Sequence, residues 1–467
     1  MHSAELVRAG KMSRVAVVSP RARARDALVE VAQAGCLELA GNLPPPEGEE
    51  AEALRRLKIL VTESQEPPSL LRFPPEVASL ERRGQVGLLA GEAELKRRVQ
   101  LAVEHGSFLA WVGWVPSARV EELSERLAET GSGLVELARP AWVEPPTVFR
   151  PAAVERPFRP LVRTYGTPRY WDVDPTRFTA ASFIVMFGMM FGDVGHGLVL
   201  ALLGLWLRGR REGRFAEVRD LWVIVFACGL AGACFGLLYG EAFGPTGLVP
   251  RLWLDPVEDP IPLFLVALAL GGLLLTMSYL IGIVNRWRES GLARALLDQS
   301  GVGGLMMLVG GGIFVGGFYW QVRPLEILGG FICVAGIVLI GTGLVLLAPG
   351  GAAGVIQVGI ELVDAVTRLA SNFISFARLA AFGLMHAALG AVVFAAASAL
   401  WGGVIGGVAA VIVFTLGNVV AFALEALVTG VQALRLEYYE LFSRIFSGEG
   451  HAFAPWSMPV VSIEEES

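Results

Sequence analysis

From residue 178 onward the chain is a succession of apolar segments, at about 178–207, 220–243, 261–286, 299–320, 326–348, 366–401 and 403–446. Runs of that length leave few choices of fold. A backbone placed in hydrocarbon must satisfy its own N–H and C=O groups, so these segments are expected to be transmembrane helices. Of the 467 residues, 54% are hydrophobic and 18% charged, against about 45–50% and about 25% in average globular usage. The apolar excess lies almost wholly after residue 178, which defines a soluble N-terminal third and a polytopic membrane domain. Net charge −6 carries little information, because the charges are segregated. Residues 1–30 have no apolar h-region, so the soluble part is expected to stay cytoplasmic.

The loops orient the helices. Loop 208–219 carries Arg208, Arg210, Arg211, Arg214 and Arg219, and loop 286–298 carries Arg286, Arg288 and Arg294. Loop 242–260 is net acidic, with Arg251 against Asp255, Glu258 and Asp259. The positive-inside rule puts the first two in the cytoplasm and the third outside. Segment 178–207 must then enter and return, although it is too short for two full spans of about 20 residues. It contains FGMMFGDVGHG (Phe187–Gly197), whose glycines, Asp193 and His196 break a helix. Two short half-spans in a broken hairpin are expected, for about eight passes with both termini cytoplasmic. The alternative is one long tilted helix with the basic loop outside. The last two segments exceed a perpendicular span, which implies tilt or extension beyond the bilayer.

The soluble third reads as strand Val15–Val18, helix Ala22–Ala34 and strand Cys36–Leu39, then helical runs at about Ala51–Ser64 and Pro75–His105. Strand Phe108–Val115, helix Ala118–Thr130 and strand Leu134–Ala138 follow. This pattern predicts two small α/β lobes joined by a short helical hairpin. There is no Walker loop, GxGxxG or HExxH, and no cofactor or nucleic-acid partner is expected; the domain reads as a docking module. Cys36, Cys228, Cys234 and Cys333 have no metal-ligand spacing, and three lie in membrane segments, where packing is the expected role. The domain boundaries expected are a tail over 1–11, the docking domain over 12–177, the membrane domain over 178–446 and a C-terminal tail over 447–467.

Charge inside the membrane segments carries the chemistry. Arg368, Ser371, Asn372, Ser375 and Arg378 recur at helical spacing and share one face. A second polar stripe holds Asn418, Glu425, Gln432 and Arg435. An intramembrane arginine costs roughly 2.5–3.5 kcal/mol on insertion scales and usually faces a pore or a partner. Arg378 stays charged at any relevant pH, so it serves as a fixed barrier and carboxylate partner, not a proton carrier. A structural pair with Glu425 is the alternative, and snorkelling is the alternative for Arg435. Glu425 is a candidate proton relay, as is His386, which is otherwise a structural histidine near a helix end. Asp364 and Glu361 lie at the cytoplasmic mouth, with solvated surface charge as their plainer reading. Carboxylates at two depths around a central arginine suggest two offset aqueous half-paths.

Four stretches then resemble a known family. SFARLAAFGLMHAAL (Ser375–Leu389) is similar to the S-Y-x-R-L-x-A-L-x-L-A-x-A segment of the membrane stator subunit, called a or I, of V-type and archaeal-type rotary ATPases. YGTPRYWDVDPT, FGMMFGDVGHG and LEALVTGVQALRLEYYELFSRIFSGEGHAFAPW agree in order, and the resemblance covers roughly residues 12–457. It implies that Arg378 and Arg435 face a ring of proteolipid subunits, that Glu425 and His386 line the outer half-channel, and that Asp364 lines the cytoplasmic one. Gln432, Ser375 and Asn418 complete the expected translocation set. Peripheral stalks and a central stalk are the implied soluble partners, the bilayer of a prokaryotic cell membrane the implied location, and H⁺ or Na⁺ the implied ion. The subunit is expected not to be catalytic alone. Three departures stand out: Phe376 where the family often has Tyr, Arg368 where a neutral polar residue is common, and an N-terminal domain of only about 170 residues. The rival readings are a secondary transporter, for which no matching internal repeat is visible, and a purely structural membrane anchor.

Overall fold

The structure is a computed structural model that describes residues 9–60, 66–140, 142–149, 156–210, 219–348 and 352–461. Residues 1–8 of the expected tail, the end of the first helical run, part of the Pro-rich passage, and Arg211 and Arg214 lie outside the described residues. The chain divides into two compact units. One holds the described residues of Ala9–Arg150 and Gly450–Ser467, the other those of Pro151–Glu449.

In the first unit, β1 (Met12–Pro20), α1 (Ala24–Ala34) and β2 (Glu38–Leu39) are followed by α2 (Glu49–Leu60), β3 (Leu70–Leu71), α3 (Val77–Arg82) and α4 (Val86–Val99). Then come β4 (Val103–His105), β5 (Phe108–Pro116), α5 (Val120–Glu129) and β6 (Gly133–Glu136). The two expected lobes are in fact one sheet, in order β2-β5-β1-β6 with β4 on β5, every pair antiparallel. The physical reason is length. Strands β1 and β5 pair over nine residues, Met12 opposite Pro116 through Pro20 opposite Phe108. That interleaves the two βαβ halves in the split arrangement, where each half alone would be a marginal two-stranded piece. Leu28 and Val31 of α1 and Leu123 and Leu127 of α5 close one core with Val15, Val17 and Trp111. Helices α2, α3 and α4 form a satellite core around Leu57, Leu80 and Leu89. Beside it Arg25 pairs with the buried Glu92 at 2.5 Å, and burial pushes the Glu92 carboxyl up despite the guanidinium.

Residues 450–461, expected as a tail, are built into this unit. The peptide N–H groups of Trp456 and Met458 donate to the carbonyls of Leu37 and Ala32, at 2.9 and 3.2 Å. Strand β7 (Val460–Val461) runs parallel to β3. The Trp456 and Met458 side chains are core residues, and the Arg98 guanidinium lies 4.5 Å over the indole. Sequence hydropathy could not show this, because one tryptophan in a Pro-containing segment has no period. Trp456→Ala should cost about 3–5 kcal/mol, the usual range for emptying a buried aromatic site. Urea unfolding of the full chain, followed by fluorescence of the soluble unit, checks it; an unchanged midpoint would show the segment to be a passive tail.

In the second unit α6 (Arg159–Tyr165) leads through the Tyr165–Thr176 motif into the apolar helices. Asn285 accepts a bond from the Val173 N–H at 2.8 Å and donates to the Ile445 carbonyl at 3.0 Å. Arg169 pairs with Glu289 and Glu449, and burial pushes the Asp172 carboxyl up to about 6. The motif thus ties three distant segments of the chain. Segment 178–207 is two helices, α7 (Thr176–Met190) and α8 (Val194–Gly209), broken at 191–193, not one tilted helix. At about 1.5 Å per residue each is shorter than the hydrocarbon core of about 30 Å.

Next come α9 (Trp222–Tyr239), α10 (Pro260–Ser290), α11 (Leu292–Leu297), α12 (Val302–Tyr319) and α13 (Arg323–Leu347). The last group is α14 (Ala352–Ser375), α15 (Ala377–Ala399), α16 (Gly403–Leu436), a π-turn at Glu437–Phe442 and α17 (Ser443–Ile445). Six helical stretches among the described residues are long and apolar enough to cross a membrane. The longest are Ala353–Ala399, 47 residues, and Gly403–Ile445, 43 residues. The former begins earlier than the apolar run at 366, because 352–365 is amphipathic with Gln357, Glu361 and Asp364 on it. It breaks at Phe376, whose ring is fully buried against α10; a Cβ on Gly271 would lie 2.2 Å from that ring. The ring therefore serves packing and does not face the polar stripe. Cys228 is buried, whereas Cys234 is exposed, so packing does not account for every membrane cysteine.

Candidate functional site

The break between α7 and α8 places Asp193 fully buried inside the helical unit. Its side chain caps α8: Oδ1 accepts from the His196 N–H at 2.8 Å and Oδ2 from the Gly244 N–H at 2.9 Å. Helix α9 presses against this cap. A Cβ on Gly236 would stand 2.2 Å from the Val194 nitrogen, so only glycine permits the approach. From α15 His386 points at the same spot, its Nε2 4.0 Å from Asp193 Oδ2, while its Nδ1 touches the Glu425 carboxylate of α16. His386 and Glu425 are both buried. His196 lies beside Asn418, and Glu241 faces Asp193, His386 and Glu425. Phe191, Phe243 and Phe422 form a ring of aromatic faces around the two imidazoles. Three helices and a loop thus converge on two imidazoles and three carboxylates, an arrangement suited to passing protons between buried groups.

The arginines form a second site. Arg378, half-buried on α15, and Arg435, exposed on α16, face one another. Arg378 Nη1 is buried without a hydrogen-bond partner, as is Gln432 Oε1 one turn from Arg435. Like charges so placed need a counter-charge, and the π-turn supplies one: buried Glu440 faces Ser375, Arg378, Arg435 and Arg444. Thr367, Ser371, Ser375 and Arg378 line an open groove along α14 and α15. Ser375 Oγ donates to the Ser371 carbonyl at 3.0 Å.

The structure brings His386, Glu425 and Asn418 into one cluster and Arg378, Arg435, Gln432 and Ser375 into another. Asp364 joins neither: it pairs with Arg368 one turn away at 2.7 Å, on an exposed face. The alternative pair of Arg378 with Glu425 is not formed, since Glu425 meets His386 instead. Reading the sequence missed Asp193, His196, Glu241 and Glu440 as members of these sites. The first two were visible as charges inside an apolar segment; Glu440 was masked by its place among surface-like charges in LRLEYYELFSRIF.

These features define a polytopic helical membrane protein with two charged sites, one buried and one on an open groove, at different places along its longest helices. Residues 99–244 match the family model described as the V-type ATPase 116kDa subunit family. A-type ATP synthase subunit I of Pyrococcus horikoshii is 29% identical over 389 residues, 79% of this chain and 57% of the relative. The Thermococcus kodakarensis subunit I is 28% identical over 370 residues, and the Archaeoglobus fulgidus subunit I 28% over 406 residues. These cover 74% and 76% of this chain and 54% and 59% of the relatives. The chain is similar to these subunit I proteins, and it spans between about half and three-fifths of their length.

Proposed function

We propose that this chain is the ion-translocating stator subunit of a V/A-type rotary ATPase, with no catalytic activity of its own. The carrying observation is the separation of two charged sites along α15 and α16: the pair of His386 and Glu425, joined by Asp193 from the α7–α8 break, and Arg378, which lines the groove with Arg435 nearby. A continuous channel would leak. Two offset half-paths transport only when a carrier moves a carboxylate past the arginines, and a rotating proteolipid ring is such a carrier. On this reading α7 to α16 make eight passes, with both termini cytoplasmic in a prokaryotic cell membrane. The outer half-path runs through Asn418, His386 and Glu425, and the cytoplasmic one through Glu440 and Ser375 towards Asp364. Peripheral and central stalk subunits dock on the sheet unit, and ATP is hydrolysed or made on partners.

The relatives' printed name supports assembly in an A-type ATP synthase. A passive anchor leaves the arginine–Glu440 site without a role, and a transporter with its substrate site at Arg378 lacks the matching internal repeat in the sequence. The outer half-path is tested by Glu425→Gln in the reconstituted complex. Removing a proton relay from a buried path should slow ATP-driven uptake about 10²-fold or more, with ATP hydrolysis slowed in step because the ring cannot reload. Uptake within twofold of the unmodified complex would remove Glu425 from the path.

A further inference from the structure

The Asp193 cluster has a property that ion relay does not use. One ligand atom each from Asp193, His196 and His386 can be chosen so that all three lie within 4.8 Å of one another, and all three residues are buried. A carboxylate oxygen and two imidazole nitrogens form the donor set of a borderline-soft divalent cation, with a water in the fourth position. Tetrahedral zinc, with bonds of about 2.0–2.1 Å, spaces its ligands about 3.4 Å apart. The cluster is thus open by roughly an ångström and must close on the ion. Both His196 ring nitrogens are buried without an aligned hydrogen bond among the described residues, although Asn418 stands beside the ring, so a nitrogen lone pair is left for the ion.

Two further observations point the same way. The carboxyl groups of Glu241 and Glu425 lie beside the cluster, so further oxygen donors stand near the three ligands. A cavity of about 260 Å³, mostly apolar, with Phe243, Phe414 and Phe422 around His196, Thr415 and Asn418, borders the cluster at His196 and leaves that ring room to turn.

We propose that Asp193, His196 and His386 form a binding site for a divalent transition-metal cation of the zinc class. Binding turns the His196 ring inward and draws His386 towards Asp193, away from Glu425. The site does not depend on whether the chain conducts ions.

The test is titration of the metal-free full chain in detergent with Co²⁺ as a visible probe, followed by displacement with Zn²⁺. One intense low-coordinate Co²⁺ spectrum per chain, displaced by one equivalent of Zn²⁺, is expected. His196→Gln should weaken Zn²⁺ by about tenfold or more. His451→Gln, which alters only the exposed pair with Glu38, should leave the affinity unchanged. Equal affinity in His196→Gln, or loss confined to His451→Gln, overturns the proposal. X-ray absorption at the zinc edge of the unmodified chain needs no variant: two imidazoles in the first shell support the site, and one or none sinks it.

Discussion

Arg378→Ala should abolish ATP-driven ion uptake in the reconstituted complex while ATP hydrolysis persists. Arg378 is the one half-buried guanidinium on the groove face of α15, with Nη1 unpartnered within the chain. A carboxylate brought to about 4 Å by a partner gains about 4 kcal/mol at an effective dielectric of 20. That is enough to drive the carboxylate's proton off by about three orders of magnitude. Without the charge the partner carboxylate stays protonated as it passes, and no net ion moves. Arg378→Lys keeps a charge but not the planar fork, and lysine can lose its proton in a desolvated place. Uptake should therefore fail in both variants. Simultaneous records of ATP hydrolysis and vesicle acidification, or of sodium uptake, decide it. Uptake that survives in either variant would make the arginine a packing residue.

Glu440→Gln should slow hydrolysis and uptake together instead of separating them. Glu440 is buried and faces Arg378, Arg435 and Arg444, so it competes with any incoming carboxylate for the same guanidinium groups. Neutralising it strengthens the hold of the arginines on the ring and lengthens each dwell. The arginines left without this carboxyl repel one another more strongly, so the thermal midpoint of the isolated chain should fall as well. The coupling ratio should stay within about twofold of the unmodified complex while turnover drops about tenfold, the factor that about 1.4 kcal/mol of extra hold on the ring would give. Turnover unchanged, with uptake alone lost, would place Glu440 on the barrier itself and overturn the competition argument.

Much of this was legible in the sequence, for identifiable reasons. Runs such as 220–243 and 326–348 exceed any soluble strand or helix in apolar length, so the spans follow from composition. The polar stripe of α14 and α15 follows from its spacing, and the break at 191–193 from charge inside an apolar run. What escaped was long-range. Strands β1 and β5 belong to one sheet because of a register between residues about a hundred apart, which local patterning does not encode. Asp364 is placed at the cytoplasmic mouth by its depth and by the resemblance, and its pair with Arg368 one turn away is a contact that reading had not drawn. Glu440 and Asp193 became site residues only when the π-turn and the α7–α8 break brought them beside charges on other helices.

The insertion of Trp456 and β7 into the sheet unit sets an order of events in the making of the protein. The soluble core is begun by β1 near the start of the chain and completed by residues that emerge after Pro151–Glu449, about 300 residues later. At roughly 5–20 residues per second the half-built core waits tens of seconds while the helices are threaded into the bilayer. A ribosome that stops early leaves a soluble unit with an open slot and exposed apolar walls, ready for a protease. The last strand therefore acts as a seal that is set only when the membrane part has been made.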